Sequence, residues 1–426
     1  NSKSAASSPR KTSAPPTRKK SATKKTASAK RSKKAEAEPR LSDEEADLRM
    51  GGLFFVCGSS DVAPPGPGQG KSPGATPYPR ANRPISREFA LACRLGVTGM
   101  SSPQQYLPGT FYEVTRRCVE RAHKLTPNYA SREKYSSSDA ASRPAVPRTS
   151  TVEKLYQYAT GAYAERYGVE VVAVCIMSNH IHEILFDRRG EISKFLQHRN
   201  AMFANMVKVR YGLPESIFGR RAEKYNRLKG AKAIANKIAY VIANPVAAGL
   251  VASPKEWPGF VSAVEDLRGK SVVVRRPLEY LAQDDATNAP EVTFRIAAPE
   301  EAKVLFGGIA EMTTQTAAQL ERNIKQARRR HSGRFAGPLR VLATSPHTRA
   351  TSFERYGERT PRFTTAGDLD AAQRLIAEMR AFRKAYRIAL EAVKAGKRRV
   401  TFPAGTGKMH FTYGYPREAY PVARAA

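Results

Sequence analysis

The chain has 426 residues, and 72 Lys+Arg against 38 Asp+Glu give it a formal net charge of +34. Such an excess repels itself unless a polyanion neutralises it, which makes nucleic acid the leading partner, and the length suits two or three domains of about 150 residues. No apolar run approaches the roughly 18 residues of a spanning helix, which excludes a membrane protein. Leu53–Cys57 is too short for a signal-peptide core, and four widely spaced cysteines without a C-x-x-C pair exclude a zinc ribbon and fit reduced thiols in a cytosolic compartment.

From Asn1 to about Arg40 the chain is Ser, Ala, Lys, Arg, Thr and Pro, with basic runs such as Lys30-Arg31-Ser32-Lys33-Lys34 and no large apolar residue before Leu41. Nothing there repays the entropy of ordering, so a disordered, phosphate-tracking tail is expected. Residues 61–84, with Pro64-Pro65-Gly66-Pro67-Gly68, read as a linker, and Met100 marks the expected start of the folded part. Gly109–Arg117 reads as a strand, and the polar stretch 126–148 as a loop. The spacing of Leu155, Tyr158 and Ala162 predicts a helix over Thr151–Tyr167, stopped by Gly168. Val169–Met177 and His180–Phe186 are strands joined by the short turn Ser178-Asn179, a hairpin. Ile192–Tyr211 reads as an amphipathic helix, Ile217–Leu228 as a weak strand or loop, and Ala231–Ala243 as a helix ended by Asn244-Pro245. The order β-α-β-β-α-β-α predicts an α+β fold, a central antiparallel sheet with helices packed on it.

Beyond Trp257-Pro258 come short strands at 272–274 and 292–296, a helix at 314–330 and a long helix at 368–394. The long helix places Leu369, Ala372, Ile376, Met379, Phe382, Tyr386 and Leu390 near one face. The expected organisation is a tail and linker over residues 1–99, a catalytic domain over 100–262 and a DNA-contacting C-terminal region of mixed α and β structure over 263–426.

His180-Ile181-His182 lies on a predicted strand, where residues two apart point to the same face about 6 to 7 Å from each other. Two imidazoles so placed suit one metal ion. Tyr240 and Asn244, four apart on a predicted helix, share a face of that helix. If that face lies over the strand, Asn244 completes a two-His, one-amide metal site with Tyr240 beside it as a nucleophile. Such a set suits phosphoryl transfer, in which a tyrosine conserves the bond energy of the phosphodiester in a phosphotyrosine. The free phenol titrates near pH 10, and the sequence offers no dedicated base.

Four blocks in order carry a resemblance to a known family: Gly109–Arg117, Ile176–His182, Tyr240–Val251 and Pro254–Pro258. Together they resemble the single-tyrosine HUH transposases, in particular the REP-associated tyrosine transposases, over about Met100 to Phe260. The resemblance implies a ferredoxin-like HUH fold and a metal-dependent endonuclease and strand transferase acting on single-stranded hairpin or palindromic DNA. It implies His180, His182 and Asn244 as ligands of Mg²⁺ or Mn²⁺ and Tyr240 as nucleophile, leaving a 5′-phosphotyrosine and a free 3′-OH. From ligand type alone, Zn²⁺ or Ni²⁺ would serve equally. Two departures stand out: Glu183 replaces an apolar residue after the second His, and Gly259-Phe260 replaces an aromatic-serine run. Glu183, one residue out of strand period, is expected to face away from the metal.

The rival reading is a domesticated or inactive DNA-binding protein without cleavage activity, and a third is an RNA-binding module, although no aromatic RNA-recognition motif is present. Pro403–Lys408 evokes a phosphate loop but lacks its spacing and its Ser/Thr. A cytoplasmic, nucleoid-associated location is expected, with the oligomeric state open between monomer and homodimer.

Overall fold

In the computed structural model, which describes residues 103–127, 150–219, 223–281, 288–351 and 362–420, the elements follow the predicted order. The basic tail, the linker and Met100 lie outside the described residues, as does most of the polar stretch 126–148. Strand β1 (Thr110–Arg117) is followed by helix α1 (Thr151–Tyr167). Ser150 accepts a hydrogen bond from the Glu153 amide to cap α1, and Gly168 ends it in the left-handed conformation at φ 62°. Strands β2 (Val169–Met177) and β3 (His180–Asp187) form the hairpin, followed by α2 (Ile192–Tyr211), β4 (Lys224–Leu228) and α3 (Ala231–Ala247).

Helix α3 runs one turn beyond its expected end at Ala243. Pro245 lacks only one donor to the helical ladder, so it sits in the last turn without ending it, and the Leu250 amide bonds back to its carbonyl at 3.0 Å. The apolar side of α3, Ile234, Ile238 and Ile242, covers one face of the sheet and is fully buried there.

Three strands extend that sheet. β5 (Lys270–Arg275) and β6 (Glu291–Ile296) form an antiparallel pair, and β6 meets β2 in parallel through Val171 and Ile296. β7 (Phe363–Thr364) runs parallel to β4. The result is a seven-stranded sheet in the order β5-β6-β2-β3-β1-β4-β7. Its four central strands are antiparallel, as expected, but the two parallel junctions make the whole sheet mixed. The C-terminal region also supplies α4 (Glu300–Phe306), α5 (Ile309–Arg330), α6 (Pro338–Leu342), α7 (Leu369–Lys394) and α8 (Lys408–Phe411).

The period of two along each strand decides which side chains meet. On β3, Ile181 and Leu185 enter a core with Leu155 of α1 and Phe195 of α2. Ile184 and Phe186 enter the opposite core, under α3. A β-bulge between Val171 and Ala173 resets this alternation on β2, so that Val172 and Ala173 both join the α3 side.

Glu183 lies on the α1/α2 side, the face opposite His182, as its place in the strand predicts. It is fully buried and receives two 2.7 Å hydrogen bonds from the equally buried guanidinium of Arg199 on α2, and a third from the Tyr156 hydroxyl on α1.

The long helix α7 buries a stripe different from the one expected. Ala371, Leu375, Phe382, Tyr386, Ala389 and Leu390 are buried, whereas Leu369 and Ile376 face solvent. In the C-terminal half of the helix the stripe is set by a small separate core, in which Phe382, Tyr386, Ala389 and Leu390 pack with Val400, Phe402, Met409 and Tyr415. Pro403–Lys408 is the turn leading into α8, with the Tyr106 amide donating to the Gly405 carbonyl, so its role is packing. Among the described residues no helix is long and apolar enough to cross a membrane.

Candidate metal centre and nucleophile

Side chains of β1, β3 and α3 converge on the α3 side of the sheet. His180 and His182, two residues apart on β3, present imidazole rings with centroids 4.7 Å apart and nearly perpendicular. The Tyr240 ring meets His182 edge-on, at 5.5 Å between centroids. Asn244, one turn further along α3, is buried and hydrogen-bonds the Tyr240 side chain. All four residues singled out by the sequence therefore occupy one neighbourhood.

The rings are held from behind. His180 Nδ1 pairs with Asn179 Oδ1 at 2.6 Å, and His182 Nδ1 with Thr115 Oγ1 at 3.1 Å. Anchoring Nδ1 on each ring fixes its orientation and leaves Nε2 as the nitrogen that a metal would take, as outer-shell partners of metal-binding histidines do. Burial first, with repulsion from the neighbouring His180, Arg117 and Lys237 added to it, holds His182 well below the usual imidazole range. It stays neutral near pH 7, the form that binds metal. Among the described residues no three His, Cys, Asp or Glu side chains cluster, so a cation here would rest on two imidazoles and the Asn244 amide oxygen. Two imidazoles with one amide fit a divalent cation.

Burial pushes the Tyr240 phenol above its ordinary value, and the Glu113 carboxylate adds to the effect, while the Asn244 hydrogen bond and the Arg117 charge oppose it. The residue as a whole remains 40% exposed.

No protein-family model and no curated protein matches the chain. Among solved structures it is similar to a REP-associated tyrosine transposase bound to a REP hairpin, at 17% identity, over 45% of this chain and 97% of that one, with a TM-score of 0.29. The likeness is distant.

Several residues around the site escaped the sequence reading. Glu113, Thr115 and Arg117 alternate with core residues on β1, which turns all three to the α3 side, and Arg117 stands opposite His180 in the register. Lys237, one turn before Tyr240, bonds Glu113 at 2.8 Å and lies 5.1 Å from the Tyr240 ring centroid. Asn226 of β4 donates to the same carboxylate at 2.8 Å. The polar residues at every second position of β1 were the available signal. Of the other histidines, His123 pairs with the Thr348 carbonyl, His331 with that of Ala247 and His410 with that of Tyr415.

Proposed function

We propose that the chain is a divalent-metal-dependent enzyme of the HUH type that nicks and transfers single strands of hairpin or palindromic DNA through Tyr240. One observation carries the reading: the two β3 imidazoles, the Tyr240 phenol and the Asn244 amide share one side of the sheet. The β-α-β-β-α-β order with central strands β2-β3-β1-β4 supports it, being the ferredoxin-like arrangement, and so does the net charge of +34. A Mg²⁺ or Mn²⁺ ion held by His180, His182 and Asn244 would polarise the scissile phosphate.

The residues of the chain do the rest. The Tyr240 hydroxyl gives up its proton and its oxygen attacks phosphorus. The bond from phosphorus to the 3′ oxygen breaks, that oxygen takes up a proton, and a 5′-phosphotyrosine and a 3′-OH result. Arg117 and the Asn244 hydrogen bond favour the phenolate against the burial that opposes it. Thr115 and Asn179 keep the imidazoles aimed.

The test is a denaturing gel of labelled single-stranded hairpin DNA, drawn from the flanks of the gene, incubated with wild type or Tyr240→Phe, with Mn²⁺ or with EDTA. A protein-linked DNA band that needs both Tyr240 and metal is expected. Tight binding with intact DNA throughout would replace the nickase by a DNA-binding protein that performs no cleavage.

A further inference from the structure

The middle of α7 carries an unbroken row of positive charge. Between Met379 and Leu390 the helix has four cations, Arg380, Arg383, Lys384 and Arg387, and no acidic residue. Spacings of three and four put them on one side of the helix, over about 10 Å along its axis and away from the buried Phe382, Tyr386 and Ala389. Like charges at those spacings weaken a helix unless an anion sits among them. The nearby acids are already taken: Glu378 pairs with Arg227 at 3.1 Å and Glu391 with Lys394 at 2.8 Å. Among the described residues no carboxylate pairs with any of the four cations.

More positive charge gathers beside the row. Arg383, half-buried, lines a small cleft together with Arg362, which precedes β7, and Arg227 of β4. Burial and the Arg362 charge both pull Arg383 below the ordinary arginine value. Just past the end of the helix, Lys397, Arg398 and Arg399 are exposed. The row stands apart from the metal centre. Asn226 turns to the α3 side of the sheet, where it bonds Glu113, so its neighbour Arg227 turns to the other side. The Glu378–Arg227 pair therefore anchors α7 on the face opposite His180 and His182. The aromatic residues within the row, Phe382 and Tyr386, are buried. Unpaired bases are held by stacking on exposed rings, whereas a duplex keeps its bases inside and offers one phosphate charge per about 1.7 Å of its axis.

We propose that Arg380, Arg383, Lys384 and Arg387 form a second nucleic-acid site, which takes the phosphate backbone of a DNA duplex on the face of the sheet opposite the metal centre. The choice of DNA rests on the function proposed above; the row of charge does not. Guanidinium groups match phosphate geometry, and three of the four cations are arginines. The helix lies beyond the part of the chain that resembles HUH transposases. A duplex held there is a different stretch of DNA from a strand at Tyr240, because the sheet stands between the two.

Fluorescence anisotropy of the full chain in EDTA, with a labelled blunt DNA duplex and with a single strand of the same length, keeps metal and cleavage out of the measurement. Arg380→Gln combined with Arg387→Gln is compared with Arg268→Gln combined with Arg295→Gln, which removes two exposed charges from the far side of the sheet, at β5 and β6. The α7 variant should lower the salt slope for the duplex by about 1.8, two phosphate contacts at about 0.9 each, and weaken duplex binding about tenfold, with the single strand bound as before. The far-side variant should change the slope by less than a third as much. Equal changes in the two variants, an unchanged slope in a folded α7 variant, or equal losses for duplex and single strand would overturn the site. The gel assay separates the two readings: duplex binding that depends on Arg380 and Arg387 without any protein–DNA adduct removes the nickase and keeps the row, whereas an adduct with no effect of the α7 variant on duplex binding does the reverse.

Discussion

Arg199→Met should be the most damaging single substitution on the α1/α2 side of the sheet. The guanidinium and the Glu183 carboxylate are both 0% exposed and joined by two 2.7 Å bonds, and the guanidinium lies 5.1 and 5.4 Å from the Tyr156 and Phe195 ring centroids. Removing it leaves a carboxylate buried with only the Tyr156 hydroxyl for company. Breaking such a pair costs about 3–5 kcal/mol, a large share of the roughly 5–15 kcal/mol that stabilises a folded domain. No discount for solvent applies, because neither side chain meets water. Replacing both residues, Glu183→Met with Arg199→Met, removes the desolvation cost together with the attraction and should recover most of the loss. Urea unfolding followed by the fluorescence of Trp257, the one tryptophan in the chain and buried against β2, reads this transition directly. A loss below about 1 kcal/mol for Arg199→Met, or a double variant as unstable as the sum of the two singles, would refute the reasoning.

Asn179→Ala frees the His180 ring and should weaken Mn²⁺ binding about 10- to 100-fold by titration calorimetry, while Asn179→Asp, which keeps the acceptor oxygen, should restore most of it; equal affinities for all three proteins would remove Asn179 as a positioning residue. Because folding depresses the His182 pKa, the unfolded chain binds the proton more readily. Stability should therefore fall as pH drops below about 6.5, by up to about 1.4 kcal/mol per pH unit from this group, and the difference between wild type and His182→Gln in denaturant titrations across that range isolates it.

Much of the central architecture was legible because the relevant signals are local. The Ser150 cap, the Gly168 stop and the tight Ser178-Asn179 turn fix their elements within a few residues of sequence. The four site residues were legible by periodicity, since positions two apart on a strand and four apart on a helix must share a face. What escaped depends on tertiary partners. Pro245 reads as a stop until α5 is seen packed along α3, with Arg328 and His331 bonding the carbonyls of Ala252 and Ala247 just beyond and within its last turn. The buried stripe in the C-terminal half of α7 is chosen by Val400–Tyr415, which follow it in the chain. Gly259 has a steric reason that no sequence pattern states. A Cβ there would stand 2.6 Å from the Trp257 Nε1, whose hydrogen bond to the Ile176 carbonyl holds the segment against β2.

The outer strands also decide what the sheet offers to other chains. Past Val171 the edge of β2 is occupied by residues 260–262, the Ile176 amide donating to the Phe260 carbonyl at 2.8 Å and the Ser262 amide to the Val174 carbonyl at 2.9 Å, so β6 covers only the start of that edge. The β5–β6 pair moves that edge outward to Lys270-Ser271-Val272-Val273-Val274-Arg275, in which a cation stands at each end of the valines. At the far side β7 is only two residues long, too short to template a further strand. The sheet is thus terminated by charge on one side and by brevity on the other, two ways of discouraging edge-to-edge pairing of one copy with the next.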